Sequence, residues 1–465
     1  MDNPNNPTYQ IAKFAADLRF ADLPEKVQQQ LIGFFFDYFR VASIGERMEW
    51  SRWGLEYAEI TAKLGSSSIL FSKQSLDPVS ASFTNTLYSG SIDADDVHVG
   101  AMLHPGCIMF SVALAIGQMQ HSSGEQILAA VAAGYESMIR IALAIQPSHF
   151  KRGFQSTSTI GVFGAAITAS KLLSNNEDST LDIAHAMGLG ASFAGGLTQF
   201  YHSGSTVKRL HAAQAASSGV KAALLVKSGF SGPIDILEGK DGFFRAYADS
   251  FDAFILSQEL GNYFKISEVA VKPHACSARV LSAIEATANI CKQHRIDIEQ
   301  IHSIYLGIPK VIQGRLTSIA PKDVQAAQMS APFCVALTLL QNHDAQVFSL
   351  NVEDFESGMK NQQVMYLTSL VNCVVDDEIE KTSSEEAVSA KVVIQLKNGE
   401  KFSNVIIAPK GSISRPFTLE DLQLGMKHEL SKRYPENQIN QFERLILEFP
   451  KVKDISQEIA TTWLN

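Results

Sequence analysis

A chain of 465 residues with 46% hydrophobic and 19% charged residues has ample material for a large core and for two or three domains. Its formal net charge of −9 argues against a nucleic-acid surface, whose affinity rests on basic groups, and apolar runs such as LIGFFFDYFRVASIG are broken by charge too early to span a bilayer, so neither nucleic acid nor membrane is an expected partner. Five widely spaced cysteines without Cys-x-x-Cys or Cys/His ligand spacing support neither a disulfide framework nor a metal centre, and with the polar start MDNPNNPTYQ they lead to the expectation of a cytoplasmic protein.

Residues 1–8 read as a tail. Apolar spacing predicts helices over Tyr9–Leu18, Pro24–Ser43 and Trp50–Ala62, the second with Leu31, Phe34, Phe35 and Tyr38 on one face. Residues 65–71 read as a short exposed or edge segment. A helix over Pro78–Gly90 then leads into SIDADDVHVGAMLHPG, residues 91–106. Here Asp93, Asp95, Asp96 and His98 lie within six residues, and His104 directly precedes Pro105. Ionisable groups beside apolar helices need a partner or a task, so chemistry is expected in this loop.

Proline favours the first helical position, which would put His104 at or next to the N-cap of the following helix. The positive end of the helix dipole favours a neutral imidazole, so His104 either caps the helix or accepts a proton. The three aspartates read as solvated cap groups rather than as a cation site, which would need six or more oxygens. His98 by itself reads as a loop hydrogen-bonder.

Residues 105–230 are almost wholly helical in pattern, over Pro105–Met119, Gly124–Ile145, Ser156–Leu173, Thr180–Leu197 and Ser205–Ser228. Gly and Ala every three or four residues imply closely packed helices. No strand-flanked GxGxxG and no Walker A sequence is present, so GLGASFAGG is a packing feature and no nucleotide cofactor is expected. His211 falls three residues after Lys208 on one helix face, where it joins an anion site or, as the favoured reading, serves as a core histidine.

Near residue 266 the pattern changes. An extended ISEVAVKPHACS precedes a helix over Ala275–Gln293, a strand at IHSIYLGIP, a helix over Pro321–Gln341 and three strands, with Asn398-Gly399 as a hairpin turn. From Thr418 helices return over Leu419–Arg433, Glu436–Leu447 and Val452–Ala460. The expected fold is mainly α with an inserted α+β domain: helical parts at 1–266 and 411–465, and the α+β unit at 267–410.

The stretches SIDADDVHVGAMLHPG, RGFQSTSTIGVFGAA, VKRLHAAQAASSGVKAALL, GPIDILEGKDGFF and VKPHACSARV, in this order, resemble the MmgE/PrpD family, which includes 2-methylcitrate dehydratase, cis-aconitate decarboxylase and iminodisuccinate epimerase. The resemblance implies a large all-helical domain built from both chain ends, a smaller α+β lid domain, a homodimer, and a site in the cleft that takes a small anionic metabolite without metal or other cofactor. It implies His104, Asp93 and Lys272 as catalytic residues and Lys208, Arg209, Gln155, His98, Val97 and Phe333 as substrate-binding residues. In this reading Lys208 and Arg209 bind anions at a helix start, Asp93 orients His104, and the lid brings Lys272 onto the substrate. Val97, Gln155 and Phe333 stand where family lyases commonly carry Thr, His and Tyr. The implied reaction is proton transfer next to a carboxylate in a lyase of the dehydratase or decarboxylase type. Alternatives are an epimerase of a dicarboxylate, and a diverged member with a less polar substrate or no catalysis.

Overall fold

The computed structural model describes residues 6–174, 178–203, 205–341, 350–384 and 387–462. Its first core gathers around helix Glu25–Gly45, where LIGFFFDYF supplies apolar residues on every face and the helix is accordingly buried on nearly all sides. Phe35 stacks on Phe110 at 4.9 Å and meets Phe449 edge-on at 4.8 Å, and Phe39 meets Phe442 at 6.0 Å. Residues from the two ends of the chain thus share one core, which runs from Ile11 to Val271 and resumes from Phe417 to Ile455.

Helix Gly124–Ile145 is long and apolar enough to cross a membrane, and 94% of its most apolar window is buried inside the protein. Helices Ser156–Leu173 and Val207–Lys227 approach closely because Gly219 faces Ala165: a Cβ there would lie 2.3 Å from the alanine methyl.

A second core draws only on residues between Cys276 and Leu396, with Phe402 and Ile406 packed at its edge. Its sheet runs in the order Val371–Val375, Ile301–Ile308, Ala390–Leu396, Lys401–Ile406; the first pair is parallel and the others antiparallel. The hairpin turn is at Asn398-Gly399, with Gly399 at φ +90°. Two cores, one mostly helical and one α+β, make the mainly helical two-domain fold expected from the periodicity.

Several element ends differ from the sequence expectation. The first helix is Pro7–Asp17, because the Asn6 side chain accepts the Tyr9 N–H and caps it; residues 1–5 of the expected tail lie outside the described residues. The helix from Thr180 stops at Ala191. The helix expected from Ala275 starts at Leu281 after a 3-10 turn, because Ala275 and Ser277 donate their N–H groups to Leu350 and Gln328 instead. The helix expected over Pro321–Gln341 is two, Val324–Gln328 and Ala331–Gln341. The segment at 65–71 contributes to the strand Leu64–Ser68, paired with Ser75–Leu76.

Candidate active site

The loop between helices Pro78–Gly90 and Gly106–Gln120 is folded by two backbone bridges. Val97 exchanges N–H···O bonds of 2.8 Å with Ala270, and His98 pairs with Leu103. Asp93 (φ +63°) and Met102 (φ +56°) both take left-handed backbone, an uncommon conformation for non-glycine residues that the surrounding contacts must hold in place. The helix opens at Gly106 with Pro105 as its N-cap, so His104 lies one residue outside the cap and its ring is free for other work.

The expectation of solvated carboxylates fails. Asp93, Asp95 and Asp96 are all buried, because partners arrive from distant parts of the chain. Lys208 Nζ donates to Asp93 Oδ2 at 2.7 Å, and Lys272 Nζ donates to Asp93 Oδ1 at 2.7 Å and to the Asp93 carbonyl at 2.5 Å. Burial pushes the Asp93 carboxyl up, but the two ammonium groups overcome it and hold it well below the usual carboxylate range. Burial lowers Lys272, yet Asp93 and Asp95 beside it leave its pKa raised, so the ammonium stays charged.

Asp96 has a different task. Its Oδ1 accepts the Gly106 N–H at 2.9 Å and its Oδ2 pairs with the Tyr135 hydroxyl at 2.6 Å; burial pushes the carboxyl up to about 8. Beneath the loop, Arg40, paired with Asp37 at 2.7 Å, donates to the carbonyls of Ala94 and Lys272 and clamps the two strands of the site together.

His104 Nδ1 lies 2.8 Å from the Asp96 carbonyl, with Asp95 Oδ1 at 3.4 Å. A carbonyl only accepts, so Nδ1 carries the proton and Nε2 is left as a free base. Asp93 Oδ1 is 4.0 Å from Nε2, beyond hydrogen-bond reach. The Asp96 backbone, and not the Asp93 carboxylate, therefore orients this ring. Burial lowers the His104 pKa, Asp95 opposes and Lys272 adds to the lowering, so the imidazole is neutral near pH 7.

His104, Asp93, Gln155 and Lys208 line two adjoining cavities. Asp95, Arg209 and His211 complete the inner one; Val97, Tyr201 and Arg279 belong to the outer. Gln155 caps helix Ser156–Leu173 through its Oε1, which accepts the Ser158 N–H at 2.7 Å. Arg209 lies 3.6 Å over the Trp50 ring and donates to the Ser91 carbonyl and Gln328 Oε1; burial lowers it to about 10, still a cation.

Three predicted residues stand elsewhere. Lys272 is sealed beneath Asp93 and lines neither cavity, since its charge is consumed by the two aspartates. His98 turns away to Glu268 at 3.1 Å while its Nδ1 accepts the Ala101 N–H. Phe333 is wholly buried in the second core, stacked near Phe355 at 6.0 Å. Sequence reasoning set His211 aside and missed Arg279 and Tyr201. The i,i+3 spacing from Lys208 was a usable signal for His211; the others meet the site only through tertiary packing.

Asp93, Asp95 and His104 also bring three donor atoms within 4.8 Å of one another. Both Asp93 oxygens, however, already hold ammonium groups, and two lysine charges balance the two carboxylates. A dication would have to displace a lysine, so the donor set does not fit a metal well. It fits proton transfer: a neutral base beside fixed cations.

Residues 9–254 match the profile of the MmgE/PrpD N-terminal domain, and residues 274–448 match that of the MmgE/PrpD C-terminal domain. The chain is 24% identical to the cis-aconitate decarboxylase-like protein oryM of Aspergillus oryzae, covering 98% of this chain and 97% of that protein. It is 24% identical to cis-aconitate decarboxylase of Aspergillus terreus (97% and 94% covered) and 23% identical to that of Homo sapiens (96% and 92%). These relatives are lyases by name. Two family domains in series, over a helical and an α+β core, establish that the chain belongs to the MmgE/PrpD family.

Proposed function

We propose that this protein is a lyase of the decarboxylase or dehydratase type that acts on a small polycarboxylate, with His104 moving a proton at a carbon next to a carboxylate. One observation carries the reading: the unprotonated Nε2 of a neutral His104 borders a cavity that also holds Lys208 and Arg209. In this reading Lys208 binds one substrate carboxylate. Arg279, which makes no ion pair among the described residues, binds another from the outer cavity. His104 takes the proton, and the electron pair moves into the adjacent carboxylate as an enediolate that Lys208 stabilises. Collapse of that anion expels the leaving group; in a decarboxylation the electron pair of the breaking C–C bond stays on the carbon as CO₂ leaves, and His104, having first taken a proton from solvent at Nε2, delivers that proton to the carbon. Lys272 and Asp93 act as positioning residues, keeping Lys208 and the loop in register.

A less polar substrate is the second reading, supported by Val97, Val99, Met102 and Met329 on the wall of the outer cavity. Proton NMR in D₂O with citrate, 2-methylcitrate, cis-aconitate and iminodisuccinate tests both. New alkene or decarboxylated signals support the lyase. Exchange of the hydrogen beside a carboxylate without net conversion makes it an epimerase, and silence favours the less polar substrate. Turnover unchanged in His104→Ala would overturn the assignment. The proposal includes a homodimer, which light scattering on the purified chain tests.

A further inference from the structure

We propose that His211 is a second substrate-contacting imidazole, held as the Nε2–H tautomer, that donates a neutral hydrogen bond to the oxyanion formed when His104 takes its proton. The inference rests on the reading above and adds a residue to it.

His211 stands one helical turn after Lys208 and lines the inner cavity together with His104 and Gln155. Only 7% of it is exposed. The Phe200 ring packs against it at a steep angle, with the ring centres 5.8 Å apart, and the Ser158 hydroxyl donates to its backbone carbonyl at 3.2 Å. Its Nδ1 is fully buried with no hydrogen-bond partner. A buried N–H without an acceptor is rarer and costlier than an unfilled lone pair, so the proton belongs on Nε2. Nε2 has no protein partner among the described residues either, and it is not sealed off, so it is the polar atom that the ring offers to the cavity.

The two imidazoles of the cavity are therefore set in opposite senses. His104 spends its N–H on the Asp96 carbonyl and turns a lone pair to the substrate. His211 buries its lone pair and turns an N–H to the substrate. Burial and the neighbouring Lys208 lower His211 to about 4, so it stays neutral near pH 7. The step balances without bond change at His211. The substrate C–H proton goes to His104 Nε2, the electron pair becomes the enediolate, and the His211 N–H only holds the new oxygen charge. A donor aimed where charge develops is worth about 10²–10³ in kcat.

The test begins with the full-length protein labelled with 15N-histidine, observed at pH 7 with and without tricarballylate. The expected result is an Nε2–H tautomer for His211 and a shift of its Nε2–H resonance on binding. A ring protonated at Nδ1, a cationic ring, or no shift while tricarballylate binds would overturn the proposal, whatever the variants do. Kinetics on the turned-over member of the panel form the second arm. His211→Leu should lower kcat about 10²–10³-fold. His211→Gln, which returns an amide N–H near the lost Nε2–H, should recover most of that with an unchanged pH profile. Full kcat in His211→Leu, or His211→Gln as inactive as His211→Leu, would overturn the donor role. Failure of the underlying reading shows separately, as turnover that survives His104→Ala.

Discussion

Replacing Lys272 by Met removes a buried cation from a cluster whose charges otherwise balance. Lys272 Nζ is 2.7 Å from Asp93 Oδ1 and 3.8 Å from Asp95 Oδ1. At an effective dielectric of about 20, the closer pair alone is worth about 6 kcal/mol of attraction, most of it offset by desolvation of the two ions. The truncation reads the other side of that balance. Asp93 keeps only Lys208, Asp95 keeps no ammonium group, and the Lys272 contact to the Asp93 carbonyl disappears. Stranding a buried charge in this way costs about 3–5 kcal/mol. Lys272→Met should therefore lower the urea midpoint markedly at pH 7. The loss should shrink at lower pH, because the Asp93 carboxyl, no longer held so far down, can be protonated. Asp93→Asn combined with Lys272→Met should be less destabilised than the two single losses added together. Urea titrations of the four proteins decide it. A loss below about 1 kcal/mol for Lys272→Met, or strict additivity in the double variant, would refute the idea that these two groups hold each other in place.

Further expectations concern packing, protons and cations. Gly106→Ala would put a Cβ 2.4 Å from Tyr135 Oη and 2.8 Å from both Asp96 oxygens; an overpacking cost of about 1–3 kcal/mol should lower the Tm, and Tyr135→Phe should recover part of it. His149, whose ring nitrogens bind the Tyr247 carbonyl and Thr159 hydroxyl, is lowered by burial to about 4. The unfolded chain then binds the extra proton first, so this group's contribution is intact above about pH 6.5 and is lost as pH falls toward 4, by about 3 kcal/mol in all. His149→Gln should flatten that part of the stability–pH curve, as read by thermal unfolding. Since the His104 pKa is also lowered, kcat/KM of the wild type should fall only below about pH 6.5, and His104→Ala should cost about 10²–10⁴-fold on the substrate found by NMR. Arg209→Lys keeps the charge but loses the flat contact over Trp50 and one of the two hydrogen bonds, and should weaken tricarballylate binding in calorimetry.

Periodicity sufficed where local sequence and burial agree. Helices Gly124–Ile145 and Ser156–Leu173 begin and end where apolar spacing placed them, and in the structure Ser123 and Gln155 cap them from their own chain neighbourhood. It fell short where partners come from afar. The burial of Asp93 depends on Lys208 and Lys272, 115 and 179 residues away, so a window of local sequence could read the loop only as solvated. His98 lies six residues before His104, yet Glu268 draws it out of the site, a contact that no local pattern encodes. Phe333 aligned with a family position but packs into the second core, so its missing hydroxyl leaves both cavities unchanged.

The sharing of one core by both chain ends has a consequence for synthesis. The second core is contiguous in sequence and can close as soon as residues 276–406 have left the ribosome. The first cannot, because Phe35 and Phe39 wait for Phe449 and Phe442, which emerge after the second core. The nascent helical unit therefore carries an uncovered aromatic face throughout the translation of the α+β unit, and a chain released early, at residue 410, would be a natural client for chaperones and for proteases.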